Sequence, residues 1–159
     1  MNPNLLFALC FGIGVIAGLR SLTAPAVTSW VIHLRGLFMR GSHFTFMGTL
    51  PAAIVFTVFA IVEIVNDKLP KTPSRTTLVP FSVRILTGFL SGASASVAGG
   101  GNAYVGGIFG VVGAAAGTYG GYFARRAAVK ALHVPDFVVA LIEDAIAVGG
   151  GILLMSQIS

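Results

Sequence analysis

Charge is what this sequence has least of. Only 9% of its 159 residues are charged, 55% are hydrophobic, and the mean hydropathy is +0.91. A soluble domain carries roughly a quarter charged residues, so this composition excludes a water-soluble monomer. Cysteine occurs once, as Cys10 inside the first apolar run. That excludes a disulfide framework and a Cys-based metal site, and leaves a small apolar filler. Catalytic signatures are missing as well: there is no H-E-x-x-H, no G-x-S-x-G and no P-loop. His133 stands in the loop before the last apolar run, away from ligand spacing to any acid. No enzyme and no cofactor are expected, and a metal site stays undefined. The N-terminus, Met1-Asn2-Pro3-Asn4, has no basic region, so no signal peptide is expected and the first run is retained as a span.

What is present is a series of apolar runs. They cover about Leu5 to Leu19, Leu22 to Leu34, Gly48 to Val65, Ile85 to Ala98, Tyr104 to Phe123 and Phe137 to Met155. A spanning helix takes about 20 residues. The expected fold is therefore all-α, a polytopic transmembrane helix bundle of five or six spans, forming one integral-membrane domain over 1–159. Leu22 to Leu34 is the element that decides the number, because it is short and contains Pro25, Thr23, Thr28 and Ser29. Lys71 to Thr77 is the one stretch with the composition of an exposed loop.

The net charge of +5 and pI near 10.0 do not point to nucleic acid, since the Lys and Arg residues stand singly between apolar runs, as membrane loops place them. With six spans, Arg20, Lys68, Lys71, Arg75, Arg84, Arg125, Arg126 and Lys130 fall on one side, and Arg35 and Arg40 on the other. The positive-inside rule makes the first side cytoplasmic. Trp30, Phe38, Phe44 and Phe46, with His33 and His43, read as interfacial residues around the Leu34 to Met47 connection.

Glycine is abundant. Gly106/Gly110, Gly113/Gly117 and Gly117/Gly121 each form a G-x-x-x-G pair, Gly88 and Gly92 continue the pattern in the fourth run, and Gly14 and Gly18 in the first. Such faces let helix backbones approach closely, which predicts a tight core rather than a wide pore. The same faces suit a homodimer. A shift of 80 residues lays Ala60 to Glu63 over Ala140 to Glu143, so the halves 1–79 and 80–159 also admit an inverted duplication.

The acids are Glu63, Asp67, Asp136, Glu143 and Asp144, all on the third and last runs or at their ends. A carboxylate within a bilayer costs a few kcal/mol and normally faces the bundle interior. From the helical rise, Glu63 lies roughly 7 Å inside the cytoplasmic interface and Glu143 and Asp144 roughly 10 Å inside it. The glutamates are thus expected at a similar level, in a shared polar pocket. Arg20, Arg84, Arg125 and Arg126 on the same side can supply counter-charge. One reading makes Glu63 and Glu143 the buried, protonatable carboxylates of a proton- or cation-coupled transport site. The other makes the acids structural ion pairs, for example Glu63 or Glu143 with Arg20. Asp67 and Asp136 read as helix-end residues, Asp136 complementing a helix dipole after Pro135.

Gly18-Leu19-Arg20-Ser21-Leu22-Thr23-Ala24-Pro25, Asp67-Lys68-Leu69-Pro70-Lys71-Thr72-Pro73-Ser74-Arg75-Thr76 and Ile142-Glu143-Asp144-Ala145-Ile146-Ala147-Val148-Gly149 resemble a bacterial integral-membrane family catalogued as domain of unknown function 4126. The resemblance implies a compact multi-span inner-membrane protein and supplies no activity. In Gly18 to Pro25 a helix breaks beside an arginine among hydroxyls, which is how transporters build ion or anion sites and equally what a plain helix–loop–helix turn looks like in sequence. The expectation is a small transporter or channel-like protein acting on a small solute or ion, with Glu63, Glu143, Asp67, Asp144, Arg20, Ser21 and Thr23 as site residues. The alternative is a non-transporting structural subunit or assembly factor that binds partner helices through its glycine faces.

Overall fold

The structure, a computed structural model, describes residues 1–37, 39, 41–67, 76–132 and 135–158. Lys68 to Arg75, Phe38, Arg40 and His133 lie outside the described residues, and with them the greater part of the Asp67 to Thr76 motif. The described residues form six α-helices and one 3-10 helix, with no strand. They are α1 (Pro3–Leu19), α2 (Thr23–Arg35), a 3-10 helix (His43–Gly48), α3 (Leu50–Asn66), α4 (Leu78–Ala98), α5 (Ala103–Leu132) and α6 (Asp136–Ser156).

Local chemistry sets most of these ends. Asn2 caps α1 by accepting from the Asn4 N–H, and Pro3 follows as the first helical residue, where a missing N–H costs nothing. Thr49 caps α3 in the same way ahead of Pro51. The Asn102 side chain accepts from the Tyr104 and Val105 N–H groups to start α5. Gly36 ends α2 with a φ of 58°, and the Leu37 N–H turns back to the Ile32 carbonyl, a left-handed cap that favours glycine.

Two helices differ from the apolar runs that announce them. Helix α4 starts at Leu78 rather than near Ile85, because Pro80 sits in its first turn, where proline is tolerated, and Arg84 interrupts the apolar pattern without breaking the helix. Helix α5 continues past Phe123 to Leu132, since Ala124, Arg125, Arg126, Ala127 and Ala128 are good helix formers. At 30 residues it is about 45 Å long.

By length and composition α4 and α6, at 21 residues each, are able to cross a membrane; α1 and α3 are apolar but shorter, at 17. Helix α2 has 13 residues, about 20 Å. It touches α1, α3, α4, α6 and the 3-10 helix, and Thr23 to Ser29 are all buried. The outer surface is apolar, with Ile54, Val55, Val58, Phe59 and Ile61 of α3 and Leu141, Ile142 and Ile146 of α6 exposed.

Helix α5 packs along both α1 and α4, and glycine makes the approach possible. A Cβ on Gly14 would overlap the Gly110 carbonyl, one on Gly92 the Gly106 carbonyl, and one on Gly113 the Phe11 carbonyl. The glycine faces of α1, α4 and α5 are thus filled within the chain. The element order repeats as three helices and three, but the packing does not: α4 and α5 lie together along their lengths, whereas α1 and α2 barely touch.

Gly110→Ala is expected to force α1 and α4 away from α5, a loss of about 1–3 kcal/mol, each kcal/mol lowering the midpoint by about 2–4 °C. Gly149→Ala, where a Cβ meets open space, is expected to leave the midpoint unchanged or raise it slightly. Thermal unfolding of the detergent-purified variants checks both.

Candidate functional site: a one-ended ionic network

The C-terminal ends of α1, α3 and α5 meet the N-terminal ends of α2, α4 and α6, so successive helices alternate in direction. At this end the five carboxylates of the chain gather around three arginines.

Arg20, the residue at which α1 ends, has no solvent exposure. Its Nη1 donates to Asp67 Oδ2, and its Nε lies 2.6 Å from Asp144 Oδ1. It therefore joins the end of α3 to the third turn of α6. Arg125 on α5 reaches the same Asp67 at 3.4 Å, Glu143 at 3.4 Å, and Asp136 through two bonds of 2.8 and 2.5 Å. Arg84 on α4 donates to the Gly18 and Leu19 carbonyls at 3.1 and 3.2 Å, satisfying acceptors that the end of α1 leaves open. Its Nη2 lies 3.9 Å from Glu63.

Glu63 has a further task. Its Oε1 accepts from the Ser21 N–H at 2.8 Å and the Ser21 hydroxyl at 2.6 Å, and its Oε2 accepts from the Leu22 N–H at 2.8 Å. Leu22, at the N-cap of α2, offers no side-chain cap. A carboxylate from α3 supplies it instead, placed where the helix dipole favours negative charge.

All the sequence-derived site residues except Thr23 carry contacts within this network. The partners differ from those expected. Arg20 pairs with Asp67 and Asp144, not with Glu63 or Glu143, because helical rise fixes the level of a residue but not its direction around the axis. In the described contacts the two glutamates take different partners: Glu63 the start of α2 and Arg84, Glu143 Arg125. Asp67 and Asp136 are helix-end residues, as their positions indicate, and network members as well. Thr23 is buried, and its hydroxyl has no hydrogen-bond partner among the described residues. Arg84 and Arg125, expected as counter-charge on the same side as the acids, belong beside Arg20.

No group of three or more His, Cys, Asp and Glu side chains among the described residues is arranged to hold a metal ion. His33 contacts the Gly48 carbonyl through Nδ1, and Trp30 donates to Thr57, so both secure α2 against its neighbours. An apolar pocket of about 390 Å³ on α1 and α5, lined by Asn4, Phe7, Ala8, Phe11 and Phe109, lies toward the opposite end of α1 and holds no charged group.

Arg20→Gln would leave Asp67 and Asp144 without this buried cation, and is expected to cost about 3–5 kcal/mol. Arg126→Gln, at an exposed position, is expected to change stability by less than about 0.5 kcal/mol. Thermal unfolding in detergent reads the contrast.

No curated protein and no solved structure matches this chain. The family profile described as Domain of unknown function (DUF4126) matches residues 7–157, almost the whole length, and the chain belongs to that family.

Proposed function

We propose that the chain is a multi-pass protein of the bacterial inner (cytoplasmic) membrane, a small transporter or channel-like protein closed at its cytoplasmic end by the arginine–carboxylate network. Glu63 and Glu143 are the carboxylates through which protons or cations couple to it. The observation that carries this reading is that all five carboxylates meet at one end of a bundle whose outer surface is apolar. The alternating helix directions support six spans, with α1 and α3 short and α2 enclosed by its neighbours. A homodimer forms through the lipid-facing surfaces, since the glycine faces are filled from within.

The coupling step follows from Glu63. As a carboxylate it accepts two backbone N–H groups at the start of α2 and faces Arg84. A proton or a cation there removes the charge that favours those bonds, and releases the start of the helix that touches α1, α3, α4 and α6. Loosening α2 opens the closed end.

A second reading has its own support: every carboxylate faces an arginine, as in a purely structural lock. The experiment is thermal stability of the purified protein against a panel of ions and metabolites across pH, with Glu63→Gln/Glu143→Gln beside it. A ligand bound by the folded state raises the midpoint by mass action. The transport reading expects a solute-specific rise that the double variant loses while it still folds. A flat panel, with the variant merely less stable, overturns it in favour of a structural subunit.

A further inference from the structure

Three of the buried hydroxyls in this bundle turn back to their own helix. Thr87, Ser94 and Thr118 donate to the carbonyls of Val83, Leu90 and Ala114, four residues earlier. Thr28 and Ser91 do not. Both are fully buried, and neither hydroxyl has a hydrogen-bond partner among the described residues. Back-bonding is open to a hydroxyl in mid-helix, so these two side chains are turned away from their own backbone. Below them, Thr23 Oγ1 and Arg20 Nη2 are likewise buried and without a partner among the described residues.

Helical rise carries both hydroxyls a similar distance inward from the ionic network. Thr28 lies about 8 Å beyond Thr23 along α2, and Ser91 about 10 Å beyond Arg84 along α4; both helices leave the ionic network in the same direction. Their faces converge as well. Around α2, at about 100° per residue, Val27 lies against Gly151 of α6, Ser29 donates to Met47 of the 3-10 helix, and Trp30 donates to Thr57 of α3. The sector left for α1 and α4, both of which α2 touches, is that of Thr28. Around α4, Gly88 and Gly92 face α5 and Arg84 reaches the end of α1. Ser91 lies on the stripe of Arg84, about 60° from Gly88. Between Cys10 and Arg20, α1 presents only apolar residues and glycine. A charged ligand at this level would find nothing on α1 to neutralise it.

Buried hydroxyls are almost always hydrogen-bonded, to protein or to an enclosed polar molecule. We propose that Thr28 and Ser91 together hold a neutral hydrogen-bonding molecule of the size of water in the seam between α2 and α4. This site carries the polar path from Arg20 and Thr23 into the apolar interior. It stands whether or not the chain transports a solute.

The test is thermal unfolding of the full chain in detergent for Thr28→Val, Ser91→Ala and the double variant, with Thr87→Val as the control whose hydroxyl serves only its own helix. Each single variant is expected to lower the midpoint by about 2–4 °C. The double variant is expected to fall no further than the larger single, because both hydroxyls hold one molecule. A raised midpoint in either single overturns the site: it means a dry seam, where deleting the hydroxyl relieves an unsatisfied group. Additive losses overturn it too, since each hydroxyl would then be satisfied separately.

Discussion

A guanidinium with no access to solvent has to be neutralised where it lies, and Arg20 is such a group. The cost of removing its charge from water is recovered only by close carboxylates and hydrogen bonds. The chain answers with Asp67 from the end of α3 and Asp144 from α6. The remaining contacts follow outward. Asp67 also faces Arg125, which brings in α5, and Arg125 in turn holds Asp136 and Glu143 along the first two turns of α6. Arg84 closes the open carbonyls of α1, and Glu63 caps α2. One buried charge thus organises an end of all six helices.

Packing explains why the charge collects there. Helices α1, α4 and α5 approach at backbone distance through Gly14, Gly88, Gly92, Gly110 and Gly113, which leaves no room along their contact for a long side chain. Arginines and carboxylates fit only where the helices end and diverge. Within the contact, hydroxyls are the polar groups small enough to be admitted, and Thr87, Ser94 and Thr118 are satisfied by their own helices.

Much of this is legible in the sequence, though unevenly. The acids stand on two runs on the side where Arg20, Arg84 and Arg125 also fall, so their gathering at one end follows from run polarity and helical rise. The glycine spacing announces the α1–α5 and α4–α5 contacts. Pair identity is not legible: that Arg20 takes Asp67 and Asp144 depends on rotation about each helix axis, which apolar surroundings on several sides leave undefined. The partners of Glu63 are hidden for another reason, since two of the three donors are backbone N–H groups and no residue type marks them. The extra turns of α4 and α5 escape a reading by apolar runs because Pro80 in the first turn of α4, and Arg125 and Arg126 within the last third of α5, interrupt hydropathy without interrupting helix.

The placement of α2 bears most directly on what such a network does. Packing confines ion pairs to the ends of the bundle whether they fix helix register or do more. Here they crowd against the start of the shortest α-helix, whose first turn depends on a carboxylate borrowed from α3. Helix α2 touches four of the other helices and is secured toward its far end by Trp30, His33 and the Gly36 cap. A change of charge at Glu63 therefore acts on the start of α2, while the contacts of Trp30 and His33 lie toward its other end. That asymmetry supports the coupling proposed for Glu63, in which the network acts on the start of α2.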